Sequence, residues 1–333
     1  MTKRTTALLL CLLALAAPAA AHRGAADPVE AAAAFLESLP ADQRQAASLP
    51  FDAPQRTAFR WTPGRRAGLP LAALSPAARE ELRHLLTMVL SEAGALTLDA
   101  ILATEAALGL IEGRPDYRDP ERYYAALFGT PGPGRWGLRF EGHHLSINLT
   151  FEGAQALSGT PLFLGANPET VTRGPDRGLR ALPDQVDLAW QLYASLSAAQ
   201  RRQARDTGGG YGGFLTRPGS LGTSEGPAEG PRPGIAWADM TAAQRELAIA
   251  LARSYLEVLA GPVAAPYLQR LLGEEAAGLR FHWAGAEAPG GSYYYRLAGR
   301  RLFIEHDAFG GGSHVHAVWR DAGSDFGRGA GER

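Results

Sequence analysis

Arg139-Phe140-Glu141-Gly142-His143-His144-Leu145-Ser146-Ile147 and Arg296-Leu297-Ala298-Gly299-Arg300-Arg301-Leu302-Phe303-Ile304 share Arg, Gly, Leu and Ile at the same spacing, 157 residues apart. Each has strand-forming residues on both sides of a Gly-containing turn, the pattern of a β-hairpin. The flanks Arg135–Phe140 with Leu145–Phe151, and Tyr293–Leu297 with Arg301–Glu305, are the predicted strands, with Gly142 and Gly299 expected to supply positive φ in the turns.

Upstream of each hairpin two further blocks recur in the same order. Phe35–Leu39 with Gln43-Arg44 matches Leu192–Leu196 with Gln200-Arg201, again at 157 residues. Gly68–Leu74 with Ser75–Glu80 matches Gly234–Met240 with Thr241–Glu246 at 166, as an insertion in the second copy would produce. Ser75 and Thr241 are natural N-caps, and Pro76 suits the first helical turn. Apolar residues follow at helical spacing: Leu82, Leu85, Leu86 and Val89 in one copy, Leu247, Ala250, Leu251 and Tyr255 in the other. The expected fold is therefore α+β: two copies of a helix–helix–β-hairpin unit related by a pseudo-two-fold axis, their hairpins joined in an antiparallel sheet. The copies would span 22–175 and 176–326 and form one globular unit. Residues 207–234, rich in Gly, Pro and Ser, have the composition of a flexible loop, and 327–333 that of a frayed tail.

Lys3 and Arg4, an apolar run from Ala7 to Ala17, and Ala19-Ala20-Ala21 after Pro18 make 1–21 a secretory signal peptide by pattern. The expectation is an exported protein beginning at His22, with no stable membrane anchor after cleavage. Cys11 is the sole cysteine and lies inside that segment, so the mature chain would have neither disulfides nor thiolate metal ligands. With 33 basic and 34 acidic side chains there is no electrostatic case for nucleic acid. A Walker loop is missing from the sequence, and the glycine-rich Gly208–Gly213 lacks the strand–loop–helix context that a phosphate or dinucleotide site requires. Asn148-Leu149-Thr150 matches a glycosylation sequon but falls inside a predicted strand.

Chemistry is concentrated in the histidines. His314 and His316 are two apart, so on a strand both face the same side and can reach one ion. His143 and His144 are adjacent and, in a strand, would face opposite ways. The second hairpin has Arg300 and Arg301 in their place, so the fold itself does not demand histidine there. Asp307 and Glu305 are the nearest carboxylates, for a further ligand or an acceptor, with ion pairs to Arg300 or Arg301 as the ordinary alternative. His84 and His282 carry no signal beyond surface or core packing.

Longer motifs carry a resemblance. Trp136–Thr150, Gly159–Pro168, Tyr294–Arg296, Ile304-Glu305, His314–Asp321 and Asp325–Gly327 are similar to the domain of unknown function 3500 family. Trp61-x-Pro63, Gly68–Pro70, Tyr123-Tyr124 and Phe128–Pro131 fit it too. The resemblance covers nearly the whole mature chain and implies no activity. The family pattern has Tyr in place of His306, which leaves His306 outside any shared ligand set.

Cleavage after Ala21 would give His22 a free amine beside its imidazole. With His143 or His144 and the His314/His316 pair, it would complete a histidine-brace-like copper site for oxidative chemistry. The expected metal set is therefore His22, His143, His144, His314, His316 and Asp307, with copper favoured over zinc or iron. A zinc- or iron-dependent hydrolase and a non-catalytic exported binding or structural protein are the alternatives.

Overall fold

The computed structural model describes residues 27–205, 216 and 233–329. The signal segment, His22, nearly all of the 207–234 loop and residues 330–333 lie outside the described residues.

Eight α-helices occur among the described residues. They are α1 (Pro28–Glu37), α2 (Ala41–Ala47), α3 (Pro76–Val89), α4 (Glu92–Glu112), α5 (Pro183–Ser195), α6 (Ala198–Ala204), α7 (Ala242–Leu256) and α8 (Gly261–Arg270). The strands of the first half are β1 (Ser48–Leu49), β2 (Leu69–Pro70), β3 (Tyr124–Phe128), β4 (Arg135–Gly142), β5 (Leu145–Glu152), β6 (Gln155–Ser158) and β7 (Leu162–Ala166). Those of the second are β8 (Ile235–Ala236), β9 (Arg280–Gly285), β10 (Tyr293–Ala298), β11 (Leu302–Phe309) and β12 (His314–Asp321). Ser75 and Thr241 cap α3 and α7 as their sequences predict, each accepting a backbone N–H three residues on.

All twelve strands join one mostly antiparallel sheet, ordered β1-β3-β4-β5-β7-β12-β11-β10-β9-β8, with β2 beside β3 and β6 beside β5. Its halves meet where β7 pairs antiparallel with β12, from Val315 opposite Ala166 to Trp319 opposite Leu162. One side chain set of each strand, such as Leu145, Ile147, Leu149, Leu164, Ala317 and Trp319, packs with the helices into a single apolar core.

The alternate set faces away from that core and is unusually polar. Arg139, Glu141, Ser146, Asn148, Arg296, Glu305 and Asp307 are all buried. Segment 51–68 covers part of this face. Phe59 and Trp61 pack there on Phe163, Val318 and Phe326. Arg66 and Arg139 lie 3.8 and 3.0 Å from the Glu141 carboxylate, and Arg139 also donates to the Gln55 carbonyl. Asn148, the sequon residue, is buried in β5 and donates to Ser146 Oγ and the Pro161 carbonyl.

Three expectations need correction. Positive φ in the first hairpin belongs to His144 (φ 63°), while Gly142 is a strand residue. Glycine is required there for another reason: a Cβ would fall 2.5 Å from the Tyr123 ring. Gly299 is likewise outside the positive-φ set, and its Cβ would meet the Glu275 carboxylate at 2.4 Å. Gly327, expected to begin a frayed tail, is buried beside Thr150. Finally, beyond the signal segment no run of membrane-spanning length is expected from the sequence, yet α4 is long and apolar enough by length and composition to cross a membrane. It buries Leu98, Ile101 and Leu108, and Asp99 and Glu105 engage Arg83 and His143 from it.

Candidate metal centre

Gly142 pairs with Leu145, so His143 and His144 are the two residues of the β4–β5 turn. Strand alternation does not govern a turn. The two rings therefore stack, with centroids 3.6 Å apart, instead of facing opposite ways. His144 is buried, and its backbone N–H donates to the Trp61 carbonyl (2.9 Å). Gly165, opposite His316 on β7, leaves room for its ring: a Cβ there would lie 3.1 Å from His144 Cδ2.

His314 and His316 begin β12 on the polar face, with Val315 and Ala317 in the core. Their rings lie 4.8 and 5.2 Å from that of His144, and 4.7 Å from each other. His144 Nε2 is 2.8 Å from His314 Nε2. One donor nitrogen from each of the three lies within 4.8 Å of the others. Two imidazole nitrogens on one ion at about 2.0–2.1 Å would stand roughly 2.9–3.4 Å apart, so a small contraction would complete the site. Phe309, Phe163 and Trp61 wall His316 at 5.1, 5.4 and 6.5 Å between ring centroids.

Burial keeps these rings neutral, which leaves a lone pair on each for a metal. It holds His144 well below the usual histidine range, and takes His314 to about 4 and His316 to about 3. Neighbouring histidines add to each shift.

His143 belongs to a second grouping, with Glu105 and His144. Its Nδ1 lies 2.6 Å from Glu105 Oε2, the Arg118 guanidinium is 3.4 Å away, and the Tyr123 phenol donates to the His143 carbonyl. A carboxylate on one ring nitrogen sets the tautomer and orientation of the other. Glu105 is a candidate site residue that the sequence pattern does not single out. A carboxylate buried mid-helix in an apolar run was the available signal.

Asp307 lies opposite His316 on β11 and faces the same side. It is outside both groupings, and its buried Oδ1 has no hydrogen-bond partner. Burial raises its pKa to about 6. The alternative ion pairs with Arg300 and Arg301 do not form. Arg300 pairs with Glu274 and Arg301 with Asp321, while Glu305 accepts from Tyr294 and from the Thr216 backbone. His306 is on the opposite face among Tyr255, Tyr293 and Tyr295, its pKa lowered by burial to about 3.

The family model for a protein of unknown function, DUF3500, matches residues 22–328, and so takes in both hairpins and all four clustered histidines. The chain belongs to the DUF3500 family. No curated protein and no solved structure matches it significantly. The DUF3500 region thus spans the whole sheet, and the motifs Trp136–Thr150 and His314–Asp321 are the segments that bring the imidazoles together.

Proposed function

We propose that this DUF3500 protein is an exported metal-binding protein in which His144, His314 and His316 hold one metal ion, with copper favoured. The observation that carries the reading is the convergence of three neutral imidazoles from two distant segments. Neutral nitrogen donors without thiolate suit copper, and copper stands above zinc in divalent affinity for such sites. Copper bound there would supply one-electron oxidative chemistry, and the Glu105–His143 pair would fix the wall beside it. His22, as a mature N-terminus, would add the amine of a histidine-brace-like site. The export signal in the first 21 residues supports delivery to an oxidising compartment.

A zinc hydrolase is the second reading, favoured by Asp307, opposite His316, whose buried Oδ1 has no hydrogen-bond partner among the described residues. A carboxylate next to a metal-bound water is what metal-assisted hydrolysis requires.

The internal duplication belongs to the same proposal. The order β3-β4-β5-β7 runs inward to meet β12-β11-β10-β9 in reverse, as two copies about an axis would. Leu162 pairs with Trp319, residues separated by the same 157 positions as the sequence repeat. Leu145 opposite Leu164 likewise corresponds to Leu302 opposite Asp321.

The test is metal analysis of protein purified after native export, together with N-terminal sequencing. One copper per chain and a first residue of His22 are expected. Protein that holds no metal after loading with copper or zinc would remove the reading. A mature terminus at Arg23 or beyond would remove the brace alone.

A further inference from the structure

Under the duplication, Arg301 stands where His144 stands, and Leu157 and Gly159 where His314 and His316 stand. These residues line a cavity of about 320 Å³ at the other end of the central β7–β12 pair. We propose that this cavity is a binding site for a small organic carboxylate. The proposal is independent of any metal at the histidines.

Arg270 and Arg301 share one buried carboxylate. Asp321 Oδ2 accepts from Arg270 Nη2 at 2.6 Å, and Oδ1 from Arg301 Nε at 2.8 Å. Each guanidinium has five N–H donors, so both retain donors after this pairing. Arg270 and Arg301 are the charged side chains lining the cavity, with the Asp321 carboxylate between them. Behind it, Arg300 pairs with Glu274, and Glu275 accepts the Arg301 backbone N–H.

The wall is built to hold this arrangement. Arg301 lies flat over Gly323, where a Cβ would fall 2.5 Å from Cζ. The Arg270 guanidinium sits over the Tyr267 ring at 4.8 Å. Asp321 also accepts from the Gly323 backbone, which fixes its orientation.

A second observation points to a ligand. Ser324 lines the cavity, is 6% exposed, and its Oγ has no hydrogen-bond partner. A buried hydroxyl without a partner costs free energy, and a ligand oxygen between it and the guanidiniums would satisfy it. Val263 and Pro266 supply an apolar side. The remaining N–H donors of the two guanidiniums match a carboxylate, and the apolar side suits a short hydrocarbon body. The volume is at the lower end for small-molecule sites.

Calorimetric titration of the metal-free full-length mature protein, at low ionic strength, tests this with sodium butyrate, sodium benzoate and inorganic phosphate. Saturable one-site binding of butyrate or benzoate is expected. Arg270→Gln should weaken it by about ten-fold or more. Ser324→Ala leaves both Asp321 pairs in place, so it reports even where Arg270→Gln fails to fold, and should weaken binding several-fold. Copper loading of both folded variants should match the parent. The proposal is overturned by absence of saturation below roughly 10 mM carboxylate. Tighter binding of phosphate than of either carboxylate, or unchanged affinity in both variants, also overturns it.

Discussion

The Nε2 atoms of His144 and His314 lie 2.8 Å apart, although 170 residues separate them in the chain. Both rings are held neutral by burial, so one nitrogen donates and the other accepts. A metal would replace that proton and draw His316 into the same shell.

Removing one of these ligands should therefore cost more than disturbing an outer partner. Glu105→Gln should lower copper affinity by less than about ten-fold, because Glu105 holds His143, which stacks on the ligand His144. His316→Ala should lower it by more than about 100-fold. Competition titration against a chelator of known affinity measures both. Equal effects would show that His316 is not a ligand.

Metal-free protein should lose stability on acidification from near the ordinary histidine pKa. Unfolded histidines take up protons near pH 6.5, whereas His314, His316 and His306 in the fold resist until about 4, 3 and 3. Between those values the unfolded state binds more protons, so stability falls as pH falls. Each such proton contributes a slope of about 1.4 kcal/mol per pH unit. Chemical denaturation from pH 7 to pH 4 reads the slope. A flat profile from pH 6.5 to 5 would contradict the buried neutral assignment.

Asp307 has the opposite sign. Its folded pKa, raised to about 6, lies above the unfolded value, so its favourable contribution is full below about pH 3.9 and lost as pH rises through 6. In metal-free protein Asp307→Asn should raise Tm by several degrees at pH 7.5 and little at pH 4. A Tm that falls at pH 7.5 would show that the ionised carboxylate has a stabilising partner.

Gly165→Ala places a methyl 2.9 Å from the Val315 carbonyl and 3.1 Å from His144 Cδ2. The expected cost is about 1–3 kcal/mol by overpacking, with weakened copper binding in the folded fraction. Thermal melts and metal content of the same preparation check both. An unchanged Tm and full copper loading would mean that the strand relaxes freely.

Much of the architecture is legible in local pattern because it follows from local physics. Ser75 and Thr241 cap their helices because their hydroxyls reach orphan N–H groups within one turn. The hairpins follow from strand formers on both sides of a short turn, and the spacing of His314 and His316 places them on one face of β12. Glu105 was not legible, because nothing local to α4 says that its carboxylate will meet His143 from another segment.

By itself, the sequence determined the paired helix–hairpin pattern, the export signal as an expectation, and four histidines worth watching. Those are statements about neighbours along the chain. Only the tertiary structure decided that His143 and His144 share a turn and stack, that His144 meets His314 and His316, and that Asp307 stands outside their grouping. These depend on sheet order and on the β7–β12 pairing. Such long-range contacts form only when burial of the common core pays for closing the intervening loops.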